Sequence, residues 1–233
     1  MPLRTGEAYI LRTYALKESD KIVSFFTREW GKCRGVARGA RRPKSRFGAS
    51  LEPLSRVQVQ FFERENRELV ALDHCELLDS MWAGVASEGS DLLQSVSVSV
   101  MVEVAERMLP DREINDAAYR LLGAVVPAMP PGGSPWLPLT YYLYWMVRLG
   151  GFLPPWSRGA SGPELGPEAL ALAGALQRRP VSGLADCADA AAAAEGRELR
   201  RVLRWCIEDH LEAGLRSWSL LASLEPTGGG AGA

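Results

Sequence analysis

The stretch KIVSFFTREWGKCRGVARG, residues 21–39, contains two short runs rich in β-branched, aromatic and small residues. Apolar positions in these runs tend to alternate with polar ones, a pattern typical of β-strands with one buried face. We therefore predict strands at Lys21–Thr27 and Cys33–Gly39, joined by a turn that contains Gly31.

Three further runs with strand character flank this stretch: Ala8–Leu16, Arg56–Phe62 and Leu69–Leu77. A long connection rich in Arg, Lys, Ser, Gly and Pro, residues 40–55, follows the third strand. Five strands in about 80 residues, with the long connection after the third, fit the five-stranded Greek-key barrel of the OB-fold. A five-stranded SH3-like barrel stays open as an alternative.

After residue 80 the apolar positions recur with a helical period. The predicted helices are Ser90–Leu109, Asn115–Val126, Pro135–Leu149, Pro167–Gln177 and Arg197–Leu224. Strands followed by helices indicate an α+β protein of two domains, here an OB-fold at residues 1–80 and a helical domain at residues 81–225. The Gly- and Ala-rich tail, residues 226–233, is predicted to be disordered.

Charge is divided unevenly along a chain whose formal net charge is −1. Residues 1–80 carry 15 Lys or Arg against 11 Asp or Glu, and the remaining residues carry 12 against 17. Between Arg28 and Arg46, eight basic residues accompany a single acid, Glu29. Such a cluster indicates a surface that binds a polyanion, although a solvated rim is the simpler alternative.

The predicted barrel places this cluster where OB-folds bind oligonucleotides, across strands 2 and 3 and between the loops joining strands 1 to 2 and 4 to 5. Alternation puts Arg34 and Arg38 together on one face of the third strand. We predict a nucleic-acid site formed by twelve basic residues: Lys17, Lys21, Arg28, Lys32, Arg34, Arg38, Arg41, Arg42, Lys44, Arg46, Arg64 and Arg67.

Four aromatic residues lie in or beside the same elements: Phe25, Phe26, Trp30 and Phe47. Those that are exposed are expected to stack on bases. Because Phe25 and Phe26 are adjacent in a strand, alternation buries at least one of them.

The last predicted helix carries four arginines at helical spacing: Arg197, Arg200, Arg201 and Arg204. An apolar edge that includes Leu199 and Leu203 runs beside them. A cationic rim next to an apolar seam predicts a site for an acidic peptide with apolar terminal residues. The alternative is the solvated side of an amphipathic helix.

Few residues are suited to catalysis or metal binding. His74 and Cys75 are adjacent in a strand and therefore point to opposite faces, and Cys206 and His210 supply at most two ligands. The sequence contains no P-loop, nucleophile-elbow or zincin motif. We predict that the protein is not an enzyme and holds no cofactor.

No targeting or membrane-spanning segment is expected. The longest uncharged run, Leu121–Val147, contains five prolines and cannot form one continuous helix. The four cysteines form no C-x-x-C pair, which indicates free thiols in a reducing cytoplasm.

Several motifs resemble one family. IVSFFTREWGK (22–32) followed by GVARGARRPKSR (35–46) resembles the N-terminal motif of the bacterial recombination mediator RecO family. LGGFLP (149–154) and GLRSWSLL (214–221) resemble the helical region of that family. The resemblance covers nearly the whole chain.

The resemblance implies an N-terminal OB-fold, a helical C-terminal domain and a role in DNA repair. It further implies binding of single-stranded and duplex DNA and annealing of complementary strands. The implied partners are RecR, the acidic tail of the single-stranded DNA-binding protein and, indirectly, RecA. The implied location is the bacterial cytoplasm, in association with the nucleoid.

The chain departs from the family at one place. Many members carry two C-x-x-C pairs that form a zinc site after the position matching Gly151–Pro154, whereas here WSRGA (156–160) follows and only Cys187 is near. A structural zinc needs four ligands, so none is expected. Two other functions are considered, an RNA-binding OB-fold protein and a metal-dependent nuclease. The lack of clustered acids and histidines disfavours the nuclease.

Overall fold

A computed structural model describes residues 2–63, 68–82, 92–129, 133–156 and 164–225. The chain divides into two compact units, the first formed by Met1–Ala86 with Ala105–Tyr119 and the second by Ser87–Val104 with Arg120–Ala233. Ala105–Tyr119, which the sequence placed in the helical domain, thus belongs to the first unit. The domain boundary at residue 80 stays a prediction, and the tail 226–233 lies outside the described residues.

Five strands form the first unit: β1 (Leu3–Ala15), β2 (Lys21–Thr27), β3 (Gly31–Ala37), β4 (Arg56–Phe62) and β5 (Leu69–Asp79). They close into a barrel in the order β1-β2-β3-β5-β4, in which β3 and β5 are parallel and all other neighbours are antiparallel. The 13-residue β1 is long enough to pair with β2 along one part and with β4 along another. The OB-fold prediction is confirmed.

Strand alternation builds the barrel core. In β4 every second residue is fully buried, namely Val57, Val59 and Phe61. On β3, Gly35 faces the core at a place where a Cβ atom would come within 2.9 Å of Val70 and 3.3 Å of Phe25. This crowding explains the small residues on the inner face of β3, because a larger side chain there would displace packed core groups.

Seven helices lie in the described part of the chain: α1 (Leu92–Met108), α2 (Asp116–Val125), α3 (Trp136–Leu149), α4 (Pro167–Arg178), α5 (Ala188–Ala192), α6 (Ala194–Leu211) and α7 (Trp218–Leu224). The first four helices follow the prediction closely, and α5 was not predicted. Helix α3 is buried along most of its length, as its apolar sequence predicts. Within the described ranges, no helix is long and apolar enough to cross a membrane.

The prediction of one continuous helix at Arg197–Leu224 is wrong. Helix α6 ends at Leu211 because Glu212 adopts a left-handed conformation with φ of 50°. The Glu103 carboxylate then accepts hydrogen bonds from the backbone N–H groups of Arg216 and Ser217 at 2.9 and 2.8 Å. Glu103, a buried acid far away in sequence, thus accepts hydrogen bonds from backbone N–H groups that the end of the helix leaves without partners. Sequence periodicity does not reveal such a contact.

Candidate nucleic-acid interface

Two loops of the first unit are joined by hydrogen bonds: the β1–β2 loop (16–20) and the start of the long loop after β3. The backbone N–H of Arg41 donates to the Ser19 carbonyl at 3.0 Å, and its guanidinium donates to the Lys17 carbonyl at 2.9 Å. The N–H of Gly39 donates to Asp20 Oδ1 at 2.9 Å. These bonds hold the basic residues of both loops close together.

The resulting surface, here called the basic corner, comprises six predicted site residues: Lys17, Lys21, Arg38, Arg41, Arg42 and Lys44. All are exposed except Lys21, which is half-buried. Among the residues that the structure describes, no acidic side chain lies within 4.0 Å of their charged nitrogens. Their charge is therefore open to an anion from outside the chain.

Asp20 is the carboxylate that joins the two loops. The pKa of Asp20 lies below its ordinary value. The main cause is the hydrogen bond from the Gly39 N–H, and the Ser19 hydroxyl and the cations of Lys17 and Arg38 contribute less. Because a lowered pKa favours the ionised form, the link between the loops is complete at neutral pH and weakens as pH falls through that pKa.

Three other predicted site residues are engaged within the first unit by its own segment Ala105–Tyr119, here called the acidic segment. Lys32 is only 3% exposed, and its Nζ lies 3.1 Å from Asp111 and donates to the Glu106 carbonyl. Arg34 lies 3.6 Å from the same Asp111, and Arg28 lies 2.6 Å from Asp116. Lys32 was predicted to bind nucleic acid, but its charged nitrogen is buried against Asp111 and is not accessible to a phosphate.

The remaining predicted bases are of two kinds. Arg46 is exposed but lies 3.5 Å from Asp73 and packs over the Phe47 ring. Arg64 and Arg67 lie outside the described residues. Of the predicted nucleic-acid site residues that the structure describes, those of the basic corner are the ones without an acidic oxygen within 4.0 Å.

The expected base-stacking residues are mostly in the interior. Phe25, Phe26 and Phe47 are at most 1% exposed, and Trp30 is half-buried with its ring edge-on to Phe61. Phe26 points out of the barrel, yet it is covered by Tyr119 of the acidic segment, with ring centroids 6.0 Å apart. Because stacking was expected only of exposed rings, these three phenylalanines are not base-stacking candidates, and Phe25 is in the core as alternation predicts.

The sequence interpretation missed two residues on the outer face of β1. Tyr14 is 43% exposed, and Arg12 is half-buried. The pairing register places both on the same face as Ser24 and Ile22 of β2. Their spacing of two in a predicted strand was the available signal, because residues so spaced share a face.

Comparison with known proteins agrees with this architecture. Residues 1–81 match the family model described as Recombination protein O N terminal, and residues 89–187 match Recombination protein O C terminal. The chain belongs to the RecO family.

Several curated members of the RecO family align over almost their whole length. The DNA repair protein RecO of Koribacter versatilis is 35% identical over 257 aligned positions, which cover 96% of this chain and all of that protein. The proteins of the same name from Streptomyces coelicolor and Nocardioides sp. are 32% and 31% identical, covering 93% and 92% of this chain and 98% and 97% of their own.

The predicted peptide site of this RecO-family chain lies in α6, beyond the residues that the C-terminal model matches. Leu199, Leu203 and Arg200 are fully buried, so none of the three lines an exposed rim. The Arg200 guanidinium lies over the Trp136 ring at 4.2 Å and pairs with Glu225 at 2.9 Å. The prediction of four arginines on one exposed face is wrong for Arg200, because its partners come from distant elements.

The other arginines of α6 differ in their surroundings. Arg201 is exposed, Arg197 is half-buried, and Arg204 is half-buried and pairs with Glu208 at 2.9 Å. One turn after Arg201, Trp205 is 47% exposed, a large apolar surface that the sequence interpretation did not single out. Arg201 and Trp205 therefore present a cation beside an exposed ring.

The histidines and cysteines are dispersed. His74 is exposed while Cys75 is buried, as alternation predicts, and His210 stacks on Phe152 with ring centroids 4.2 Å apart. In the described part of the chain, no group of three or more His, Cys, Asp or Glu residues is arranged to hold a metal ion.

Proposed function

We propose that this RecO-family protein is a non-enzymatic, DNA-binding mediator of recombination in DNA repair, which binds single-stranded and duplex DNA through the basic corner. The observation that carries the proposal is the set of six cations beside the β1–β2 loop of an OB-fold barrel, none of which has an acidic oxygen of the described residues within 4.0 Å. Fixed cations that face solvent attract the phosphates of a nucleic acid and release its counterions.

The same surface accounts for annealing of complementary strands. Cations bound to phosphates reduce the repulsion between two strands, while Watson–Crick pairing supplies the sequence recognition. Annealing, assistance of RecR in loading RecA, and contact with the acidic tail of the single-stranded DNA-binding protein complete the proposed role. A competition assay with DNA and RNA oligomers of equal sequence tests the choice of nucleic acid, and preference for RNA would contradict it.

The acidic segment is expected to compete with DNA for Arg34. Asp111→Asn removes the carboxylate that lies 3.6 Å from Arg34 and should tighten binding of single-stranded DNA by about two- to threefold at low salt. Fluorescence anisotropy with a labelled oligonucleotide measures the change. Asp186→Asn, which removes a carboxylate paired with Arg179 in the second unit, makes the same change in net charge and should have no effect. Equal effects of the two variants would contradict competition at Arg34.

For the acidic tail peptide, we propose a site at Arg201 and Trp205 of α6. Trp205→Ala should weaken binding of a labelled peptide by roughly tenfold or more, because exposed tryptophans are common anchors at interfaces. Arg201→Glu should weaken it by only about two- to fivefold, since exposed charges contribute little. Arg178→Glu in α4 is the matched control and should leave the affinity unchanged. An unchanged affinity in Trp205→Ala would place the peptide elsewhere.

A further inference from the structure

We infer that single-stranded DNA lies across the barrel along a row of outward-facing apolar side chains, here called the outer row, with Tyr14 stacking on a base. The outer row consists of Tyr14, Ile22, Val36 and Ala71. The inference rests on the proposed DNA binding and adds where the bases lie.

The outer row follows from the strand register. Tyr14 of β1 pairs with Ile22 of β2, Ile22 pairs with Val36 of β3, and Val36 pairs with Ala71 of β5. Their neighbours along the strands, such as Val23, face the core. Because paired residues share a face of the sheet, the four side chains form one line across four strands on the outside of the barrel.

The outer row is accessible, whereas the parallel row nearer the acidic segment is not. Tyr14 is 43% exposed, and Ile22, Val36 and Ala71 are half-buried. In the other row, Tyr9 and Phe26 are buried beside Tyr119, with ring centroids 5.3 and 6.0 Å from it. The first unit thus covers one apolar row with its own chain and leaves the outer row open.

Charges on both sides of the outer row select its occupant. On one side, the register places Arg12 and Arg34 on either side of Ser24. Acids of the acidic segment engage part of this side, since Arg34 lies 3.6 Å from Asp111 and the Ser24 hydroxyl donates to Glu106, so Arg12 is the cation that faces a phosphate there. On the other side lies the basic corner, with Arg38 two residues after Val36 in the chain. An apolar strip with Arg12 on one side and the basic corner on the other fits a single strand, whose bases contact the strip while its phosphates contact the cations.

A duplex fits the outer row less well, because its bases are stacked and paired inside the helix and cannot lie on Tyr14. Stacking of one base on an aromatic ring changes affinity by about tenfold, and it does so without dependence on sequence. Tyr14 is therefore expected to raise the affinity for a DNA strand that carries bases but not the affinity for an abasic strand with the same phosphate backbone.

The experiment compares two oligomers of equal length, one of thymidines and one of abasic deoxyribose phosphates, by fluorescence anisotropy at several salt concentrations. The wild-type protein should bind the thymidine oligomer roughly tenfold more tightly than the abasic one. Tyr14→Ala should lose that advantage on thymidine, keep its affinity for the abasic oligomer and keep the salt dependence. Tyr14→Phe retains a ring and should behave as the wild type, and Leu220→Ala, which removes an exposed apolar side chain of α7 in the second unit, should have no effect.

The outcomes separate this inference from the proposed function. A wild-type protein that shows no salt-dependent binding of either oligomer would overturn DNA binding itself. Equal wild-type affinity for both oligomers, or an unchanged thymidine affinity in Tyr14→Ala, would leave DNA binding intact and overturn stacking at Tyr14. If Tyr14→Ala loses affinity equally for both oligomers, stacking at Tyr14 would also be overturned, because an equal loss indicates that phosphate contacts or the fold itself were lost.

Discussion

Reversal of two charges in the basic corner, Arg38→Glu with Arg42→Glu, is expected to weaken binding of single-stranded DNA by roughly 30- to 100-fold at low salt. Each change removes an attraction and adds a repulsion, and together they amount to about 2 to 3 kcal/mol. The slope of log affinity against log salt should flatten by about two phosphate contacts, at roughly 0.7 for each contact with a single strand. Anisotropy titrations at four or more salt concentrations measure both quantities.

The control for this prediction carries the same change in net charge. Arg178→Glu with Arg216→Glu reverses two exposed arginines in the second unit and should change the affinity by no more than about twofold. If both double variants lose affinity equally, the loss reflects the overall charge of the protein. In that case the basic corner is not the DNA-binding surface.

Replacement of the buried Arg200 is expected to produce the largest loss of stability. Its guanidinium donates from Nη1 to Thr140 Oγ1 at 3.0 Å and to the Ala191 carbonyl, and from Nε to Glu225 at 2.9 Å. Burial lowers the pKa of Arg200, and the Glu225 carboxylate opposes this shift. Arg200→Met leaves Glu225, only 12% exposed, without its cation, and should lower the free energy of unfolding by about 3 to 5 kcal/mol.

Urea unfolding followed by circular dichroism measures this loss. Arg201→Met, an exposed neighbour in the same helix, is the control and should change the free energy of unfolding by about 0.5 kcal/mol or less. The double variant Arg200→Met with Glu225→Met should regain part of the loss, because no unpaired buried charge remains. Equal effects of Arg200→Met and Arg201→Met would show that the buried pair has no special role.

Local sequence patterns predict the strands of the barrel well, because the alternation of apolar and polar residues within a strand shows which face is buried. The bounds of β2 and β4 coincide with the prediction, and the buried faces of β3 and β4 follow from alternation. The sequence left two barrel folds possible, the OB-fold and an SH3-like barrel. The order of the strands distinguishes them, and that order is known only from the pairing between strands. Short-range periodicity thus sufficed for the elements, and the topology needed the contacts between them.

The candidate site was predicted less completely, because exposure depends on partners that are distant in sequence. Alternation shows that Lys32 and Phe26 point out of the barrel, but it does not show that Asp111 and Tyr119 cover them. Helical spacing groups Arg200 with Arg201, yet Glu225 and Trp136 bury only Arg200. Exposed Arg28, Arg34 and Arg46 have acidic partners within 4.0 Å, whereas the exposed basic residues near the β1–β2 loop have none among the described residues.

Photocross-linking tests most directly whether DNA lies on the outer face of the barrel beside the basic corner. A single-stranded oligomer containing 5-iododeoxyuridine is irradiated in complex with the full-length protein, and the cross-linked residues are identified by mass spectrometry. The account predicts cross-links at Tyr14 and within residues 12–44, which disappear in the Arg38→Glu, Arg42→Glu variant. Cross-links confined to the second unit, with residues 12–44 unlabelled, would contradict it.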